Sequence, residues 1–270
     1  MVGPVTPATE NDVATPRRLV GRTAIVTGAG QGVGLGIAKR LAAEGANVVI
    51  AARRAKTGEP AAEEIRALGG EAVCIVTDVT DRAAVQGCVD QTAERYGGLE
   101  IMVHNAVRGA AGVHQIADLD IDRWTGLSQT AVWASFFCAQ SASPYLRAAG
   151  VRGRLILISS PSGVEGSHTL PLYSPVKAAQ RGLAKSLARE WGSVGITVNC
   201  IAPVAETPAL QSAFLSNPQL KSRLEGRTPL GRIGDPERDT GAVAAFLASD
   251  DGSYMTGQTI VVDGGHFMGF

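Results

Sequence analysis

The chain has 270 residues, 25 basic against 25 acidic side chains, and 45% hydrophobic residues. That length suits one large α/β domain or two small ones, with ample apolar material for a core. Balanced charge of mixed sign offers no basic field to a nucleic acid, and no apolar run is long enough to span a bilayer. Cys74, Cys88, Cys138 and Cys200 are scattered, without a C-x-x-C pair. They read as small buried hydrophobes rather than zinc ligands, and no metal site is expected. The start lacks a secretory h-region, so a reducing cytoplasm is the expected compartment.

Residues 1–19 (MVGPVTPATENDVATPRRL) are rich in Pro, Thr and small residues. They read as a mobile tail with Arg17 and Arg18 in solvent. From there the periodicity changes. Short β-branched or apolar runs occur at Thr23–Val26, Asn47–Ala51, Ala72–Val76, Ile101–Val103, Leu155–Ile158, Thr197–Ile201 and Thr259–Val262. They lack polar alternation, as strands covered on both faces do. Helical patterns lie between them at Val33–Glu44, Ala61–Leu68, Ala83–Tyr96, Ile121–Leu146, Val176–Trp191 and Arg238–Leu247. Repeated β-α-β units predict a single doubly wound Rossmann-type α/β domain over residues 20–270, its parallel sheet of about seven strands covered by helices on both faces. Ala205 to Asp235, with Pro208, Pro218 and Pro229, follows neither period and is a candidate substrate lid.

The first strand runs into Thr27-Gly28-Ala29-Gly30-Gln31-Gly32-Val33-Gly34, and a helix follows. Glycines there let the backbone turn tightly and approach a pyrophosphate, which the free N–H groups of the helix start then receive. The spacing is T-G-x-x-x-G-x-G rather than G-x-G-x-x-G. It resembles that of the short-chain dehydrogenase/reductase family, which implies cofactor contacts at Gly28, Gly30, Gln31, Gly32, Val33 and Gly34.

After the second strand comes Ala52-Arg53-Arg54. An NAD-selecting site places a carboxylate near here for the ribose 2′-OH, whereas a guanidinium grips a 2′-phosphate through paired charge-assisted bonds. The resemblance therefore implies NADP(H) over NAD(H), with Arg53 as the phosphate ligand; the bland reading is a solvated strand end. Asp78-Val79 follows the third strand. In the family such an Asp contacts the adenine; it also suits a helix cap near Asp81.

Tyr173 and Lys177 are four residues apart, one turn on the same face of a helix. A carbonyl that accepts a hydride needs a proton, and a phenol can give it. A neighbouring ammonium should lower the phenol's pKa from about 10. Before this pair the run Leu155–Ile158 ends in Ser159-Ser160. By its spacing to Tyr173, Ser160 matches the family's substrate-oxygen anchor, and Ser159 is its less favoured neighbour. The resemblance also implies that Lys177 holds the nicotinamide ribose. The last run, with Asp263-Gly264-Gly265 after it, matches the family's closing motif, so the likeness covers roughly residues 20–265.

Three departures stand out. The family's Asn-Asn-Ala-Gly reads His104-Asn105-Ala106-Val107. Asn105 and Ala106 keep their cofactor places, but Val107 resists a positive φ, so the backbone is expected to run differently there. His104 reads as a packed strand end. The place of a relay Asn falls on Ala131, which cannot hydrogen-bond through its side chain; Gln129 and Thr130 are nearby but point elsewhere. A relay through Lys177 would then be weakened or rerouted. Pro203-Val204 replaces Pro-Gly, and the step to Thr207 is one residue short. The resemblance places Pro203, Thr207 and Ile201 by the nicotinamide. His114, Phe214 and Leu215 are candidate pocket linings.

The sequence thus reads as an oxidoreductase acting on a small carbonyl or secondary alcohol, with Tyr173 as acid/base, Lys177 its activator and Ser160 the anchor. The alternative is a catalytically weak nucleotide-binding sensor or partner subunit of the same fold. Neither a nucleic acid nor a membrane is expected as partner. Helices Ile121–Leu146 and Val176–Trp191 carry surplus apolar surface, and the family packs them into homodimers or homotetramers.

Overall fold

The computed structural model describes residues 16–108 and 115–268. All seven apolar runs form strands: β1 Thr23–Thr27, β2 Asn47–Ala52, β3 Glu71–Val76, β4 Ile101–His104, β5 Arg154–Ile158, β6 Thr197–Pro203 and β7 Thr259–Val262. They make one sheet in the order β3-β2-β1-β4-β5-β6-β7, every pair parallel. Alternate strand residues face opposite sides, and both sides are apolar, which is why the runs show no polar alternation. Ala24, Val26, Val48 and Ile156 pack with Ile37, Leu41 and Leu247 on one face. Ile25, Val49, Met102, Leu155 and Val198 pack with Val89, Cys138 and Ala184 on the other.

The helices are α1 Gly32–Ala43, α2 Ala55–Ala67, α3 Arg82–Tyr96, α4 Ile121–Ser128, α5 Ala134–Ala149, α6 Ser162–Glu165, α7 Tyr173–Trp191, α8 Pro208–Ser216, α9 Pro218–Arg227 and α10 Ala242–Ala248. The single helix expected at Ile121–Leu146 is interrupted by a π turn at Gln129–Trp133, between α4 and α5. Helix α7 starts at Tyr173 rather than Val176, so Tyr173 sits in its first turn. The lid region, read as aperiodic, contains α8 and α9, each begun by a proline at the first helical position. Thr207 caps α8, its hydroxyl accepting from the Leu210 N–H.

The chain joins the fold earlier than the expected tail boundary at residue 19. Leu19 is fully buried, and Arg18 forks onto Glu44 with Nε and Nη2 at 2.7 and 2.8 Å. The buried Glu44 carboxylate needs such partners, and Arg40 supplies a further one. Among the described residues no helix is long and apolar enough to cross a membrane. Strand order reverses between β1 and β4, and the crevice outside the carboxyl ends there is where such sheets bind ligands.

Candidate active site

A cleft of about 860 Å³ opens at that reversal. Gly28, Gly30, Gln31, Gly32 and Val33 form its floor, with Arg53, Asp78, Val79, Asn105 and Ala106 on one side and Ser160, Tyr173, Lys177, Pro203 and Thr207 on the other. A side chain at Gly28 (φ +65°) would put its Cβ 2.8 Å from Ala106 Cα, and Gly32 also has a positive φ of +60°. Gln31, at the start of α1, gives no side-chain cap, so the first N–H groups of the helix stay available to an anion. A bare glycine cradle on an uncapped helix start fits a dinucleotide pyrophosphate.

Gly34, expected to touch the cofactor, does not line the cleft. A Cβ there would lie 2.4 Å from Asn105 Nδ2 and 2.7 Å from the Gly28 carbonyl oxygen, so the residue is small to let α1 pack behind the cradle. Asn105 Nδ2 in turn donates to the carbonyls of Thr27 and Gly28 at 3.0 and 3.2 Å. Thr27 is the hub, a role the sequence reading did not assign. Its Oγ1 accepts the Asn105 and Ala106 N–H groups at 3.0 and 3.1 Å and lies 3.0 Å from His104 Nδ1. With both acceptor positions taken, the Thr27 hydroxyl donates to Nδ1, and His104 donates from Nε2 to the Thr130 carbonyl at 3.2 Å. That fixes the neutral tautomer, and burial holds the His104 pKa down to about 3. Val107 keeps a negative φ, as does every described non-glycine residue, and packs beside Leu127, Ala131 and Val176.

Arg53 and Arg54 both line the second-strand end, with Thr57 beside them. Asp78 does not cap α3. Its carboxylate accepts from Thr80 N and Oγ1, which holds its pKa below the usual range with help from the Arg53 charge. Asp81 is the cap, accepting from the Ala83 N–H. Ile201 is fully buried and does not reach the cleft. On α8 the cleft meets Leu210 and Ala213, one turn apart, while Leu215 falls on the far side and is 86% exposed. Phe214 is half-buried outside the lining. His114 lies outside the described residues.

On the catalytic wall, the first turn of α7 brings Tyr173 and Lys177 together, with Lys177 Nζ 5.5 Å from the Tyr173 ring centre. Ser160 hydrogen-bonds Tyr173 and accepts from the Ser162 N–H at 3.2 Å. Ser159 turns the other way, its hydroxyl given to the Lys177 carbonyl at 2.9 Å. The expected lowering of the Tyr173 pKa is reversed here: burial pushes it up to about 12, against the Ser160 hydrogen bond, and burial also pushes Lys177 down to about 7. Removal of water is the main cause of both shifts. Lys177 Nζ instead donates to the Ile158 carbonyl at 2.6 Å and to Gln180 Oε1 at 3.0 Å. Gln180 follows Lys177 by three residues on α7, a helical spacing that the sequence reading did not use.

A cleft of this kind defines a dinucleotide-binding oxidoreductase. A family model described as enoyl-(acyl carrier protein) reductase matches residues 28–266. Tropinone reductase-like 3 of Erythroxylum coca is 35% identical over 92% of this chain and 94% of its own. An L-rhamnose 1-dehydrogenase (NAD(P)(+)) of Azotobacter vinelandii is 33% identical, covering 93% and 98%. A short-chain dehydrogenase of Burkholderia cenocepacia, solved in complex with NADP, superposes with a TM-score of 0.82 at 32% identity, covering 92% of this chain and 99% of that one. The chain belongs to the short-chain dehydrogenase/reductase family, enzymes that interconvert alcohol and carbonyl groups with a nicotinamide cofactor.

Proposed function

We propose that the chain is an NADP(H)-preferring carbonyl reductase or secondary-alcohol dehydrogenase for a small organic substrate. The observation that carries this reading is the meeting of Ser160, Tyr173 and Lys177 on one wall of the glycine-floored cleft. When bound, the nicotinamide supplies or takes the hydride. Ser160 holds the substrate oxygen, Tyr173 exchanges a proton with it, and Lys177 steadies the charge on Tyr173 and binds the cofactor ribose. Arg53, with Arg54 and Thr57 beside it, would favour a 2′-phosphate. Gly28 to Val33 would carry the pyrophosphate, Asp78 and Val79 the adenine, and Asn105, Ala106, Pro203 and Thr207 the nicotinamide half.

The reading includes a homodimer or homotetramer, supported by Trp133 and Phe136, which are 58% and 47% exposed beside the α4–α5 junction. A monomer by light scattering would remove that part. The four unpaired thiols suit a cytoplasmic setting.

The test is a panel of ketones, aldehydes and secondary alcohols, followed by nicotinamide absorbance with NADPH and NADH, for wild type and Tyr173→Phe. Turnover in wild type alone, faster with NADPH, is expected. Cofactor binding without turnover on any of them would move the assignment to a nucleotide-binding sensor.

A further inference from the structure

Lys177 is 1% exposed, yet a lysine there must hold its amine in one place if it is to meet a ribose. Residue 131, at the α4–α5 junction, is a fully buried alanine and offers no polar side chain. The π turn at Gln129–Trp133 presents two of its carbonyls to side chains. The Thr130 carbonyl receives His104, and the Ala131 carbonyl receives Ser135 Oγ and, at 3.3 Å, Gln180 Nε2.

Gln180 joins the two sides. Its Oε1 accepts from Lys177 Nζ at 3.0 Å, and its Nε2 donates to Ser135 Oγ at 2.9 Å as well as to Ala131. Only one amide orientation satisfies this set. Protonated Lys177 has no lone pair to offer an N–H, so the oxygen faces it. Ser135 has already given its proton to Ala131, so the nitrogen must face Ser135. Ala131 and Ser135 are fully buried and Gln180 is 1% exposed, so no solvent competes for these bonds.

We propose that Gln180 positions Lys177, bridging it to the π turn. This rests on the reading of Lys177 as a ligand of the cofactor ribose. Gln180 does not line the cleft, so it would act through Lys177. Introducing an asparagine at Ala131 would then add nothing, since the carboxamide of Gln180 already serves Lys177.

The test uses NADPH itself, titrated by nicotinamide fluorescence against wild type, Lys177→Met, Gln180→Leu and the double variant, each first shown to be folded by thermal melting. Gln180→Leu should weaken NADPH binding about tenfold, the scale of one hydrogen bond to a charged group. The double variant should bind within about twofold of Lys177→Met, because the second change has nothing left to disturb. Gln180→Glu, which keeps an acceptor for Lys177 but loses the N–H given to Ala131 and Ser135, should recover part of the loss. Should Gln180→Leu fail to fold, Gln180→Met carries the same cycle. Losses that multiply in the double variant, or a Gln180→Leu affinity equal to wild type, would overturn the proposal. An unchanged Lys177→Met would overturn the reading beneath it, and the proposal with it.

Discussion

Gly34→Ala sets two effects against each other. Gly34 is the third residue of α1, in its first turn, where alanine is favoured over glycine by no more than about 1 kcal/mol. Against that, the new methyl carbon would sit 2.7 Å from the Gly28 carbonyl oxygen and 3.0 Å from Ala29 Cα, both backbone atoms that no rotamer change can move. Forcing a methyl into a packed site costs about 1–3 kcal/mol. It would also displace Asn105 Nδ2, 2.4 Å away, from its bonds to the Thr27 and Gly28 carbonyls, each worth about 1 kcal/mol. The clash wins, and the variant should be less stable by about 2–4 kcal/mol, a fall of roughly 5–15 °C in Tm for a domain of this size. Guanidinium and thermal denaturation measure this directly. Because Gly28 shapes the cradle floor, NADPH binding should weaken alongside. A Gly34→Ala protein as stable as wild type, or more so, would mean that helix propensity prevails and that the packing argument is wrong.

Thr27→Val keeps the shape of the hub but removes Oγ1, stranding the Asn105 and Ala106 N–H groups and His104 Nδ1. It should cost more than about 2 kcal/mol by chemical denaturation, while Thr27→Ser stays near wild type; equal effects would discount the hydroxyl. His104 adds a pH dependence. Its folded pKa is about 3 and its unfolded pKa about 6.5, so below pH 6.5 the unfolded chain takes a proton that the folded one refuses. The His104 contribution is therefore intact above that pH and lost progressively below it, amounting to about 2 kcal/mol at pH 5. Denaturation midpoints of His104→Gln should flatten between about pH 6.5 and 5; the same slope as wild type would assign the loss to other groups.

Apolar runs with no polar alternation predict a buried parallel sheet because both faces of each strand must be covered, and all seven strands follow. The glycine cradle and the Ser160–Tyr173–Lys177 wall were legible for a similar reason: their spacing is local and their chemistry is specific. The lid helices were missed although Thr207-Pro208 and Asn217-Pro218 are good helix starts. There the local capping signal was overridden by the lack of an apolar stripe, since both helices are largely exposed. Leu215 was misplaced for want of those helices, because only the helical period shows that it faces away from Leu210 and Ala213. Gly34 matched the motif by type yet serves packing, which sequence spacing alone does not distinguish. Gln180 stands three residues from Lys177 on α7, but its other partners, Ala131 and Ser135, lie on the π turn and α5, which local spacing does not show.

The opposed shifts of Tyr173 and Lys177 set how the proposed acid/base pair responds to pH. With values of about 12 and about 7, moving a proton from phenol to amine spans five units, roughly 7 kcal/mol. Taking the 5.5 Å from Lys177 Nζ to the Tyr173 ring centre as the separation, attraction in an effective dielectric of about 20 returns roughly 3 kcal/mol, so the neutral pair prevails above the lysine's value. The charged pair, phenolate with ammonium, holds the same number of protons as the neutral one, so its small share does not change with pH once Lys177 has lost its first proton. Alcohol oxidation, which needs that phenolate, should therefore climb about tenfold per pH unit up to about pH 7 and then level. Carbonyl reduction starts from phenol beside ammonium, and should fall above the same pH. The other titratable groups acting around Lys177 stay silent in this range, His104 being held near 3 and the buried Cys200 near 12. Both limbs should thus turn at one pH, and Lys177→Met should erase that turn. Profiles that turn near the free lysine's value, about pH 10, would show that burial does not govern this site.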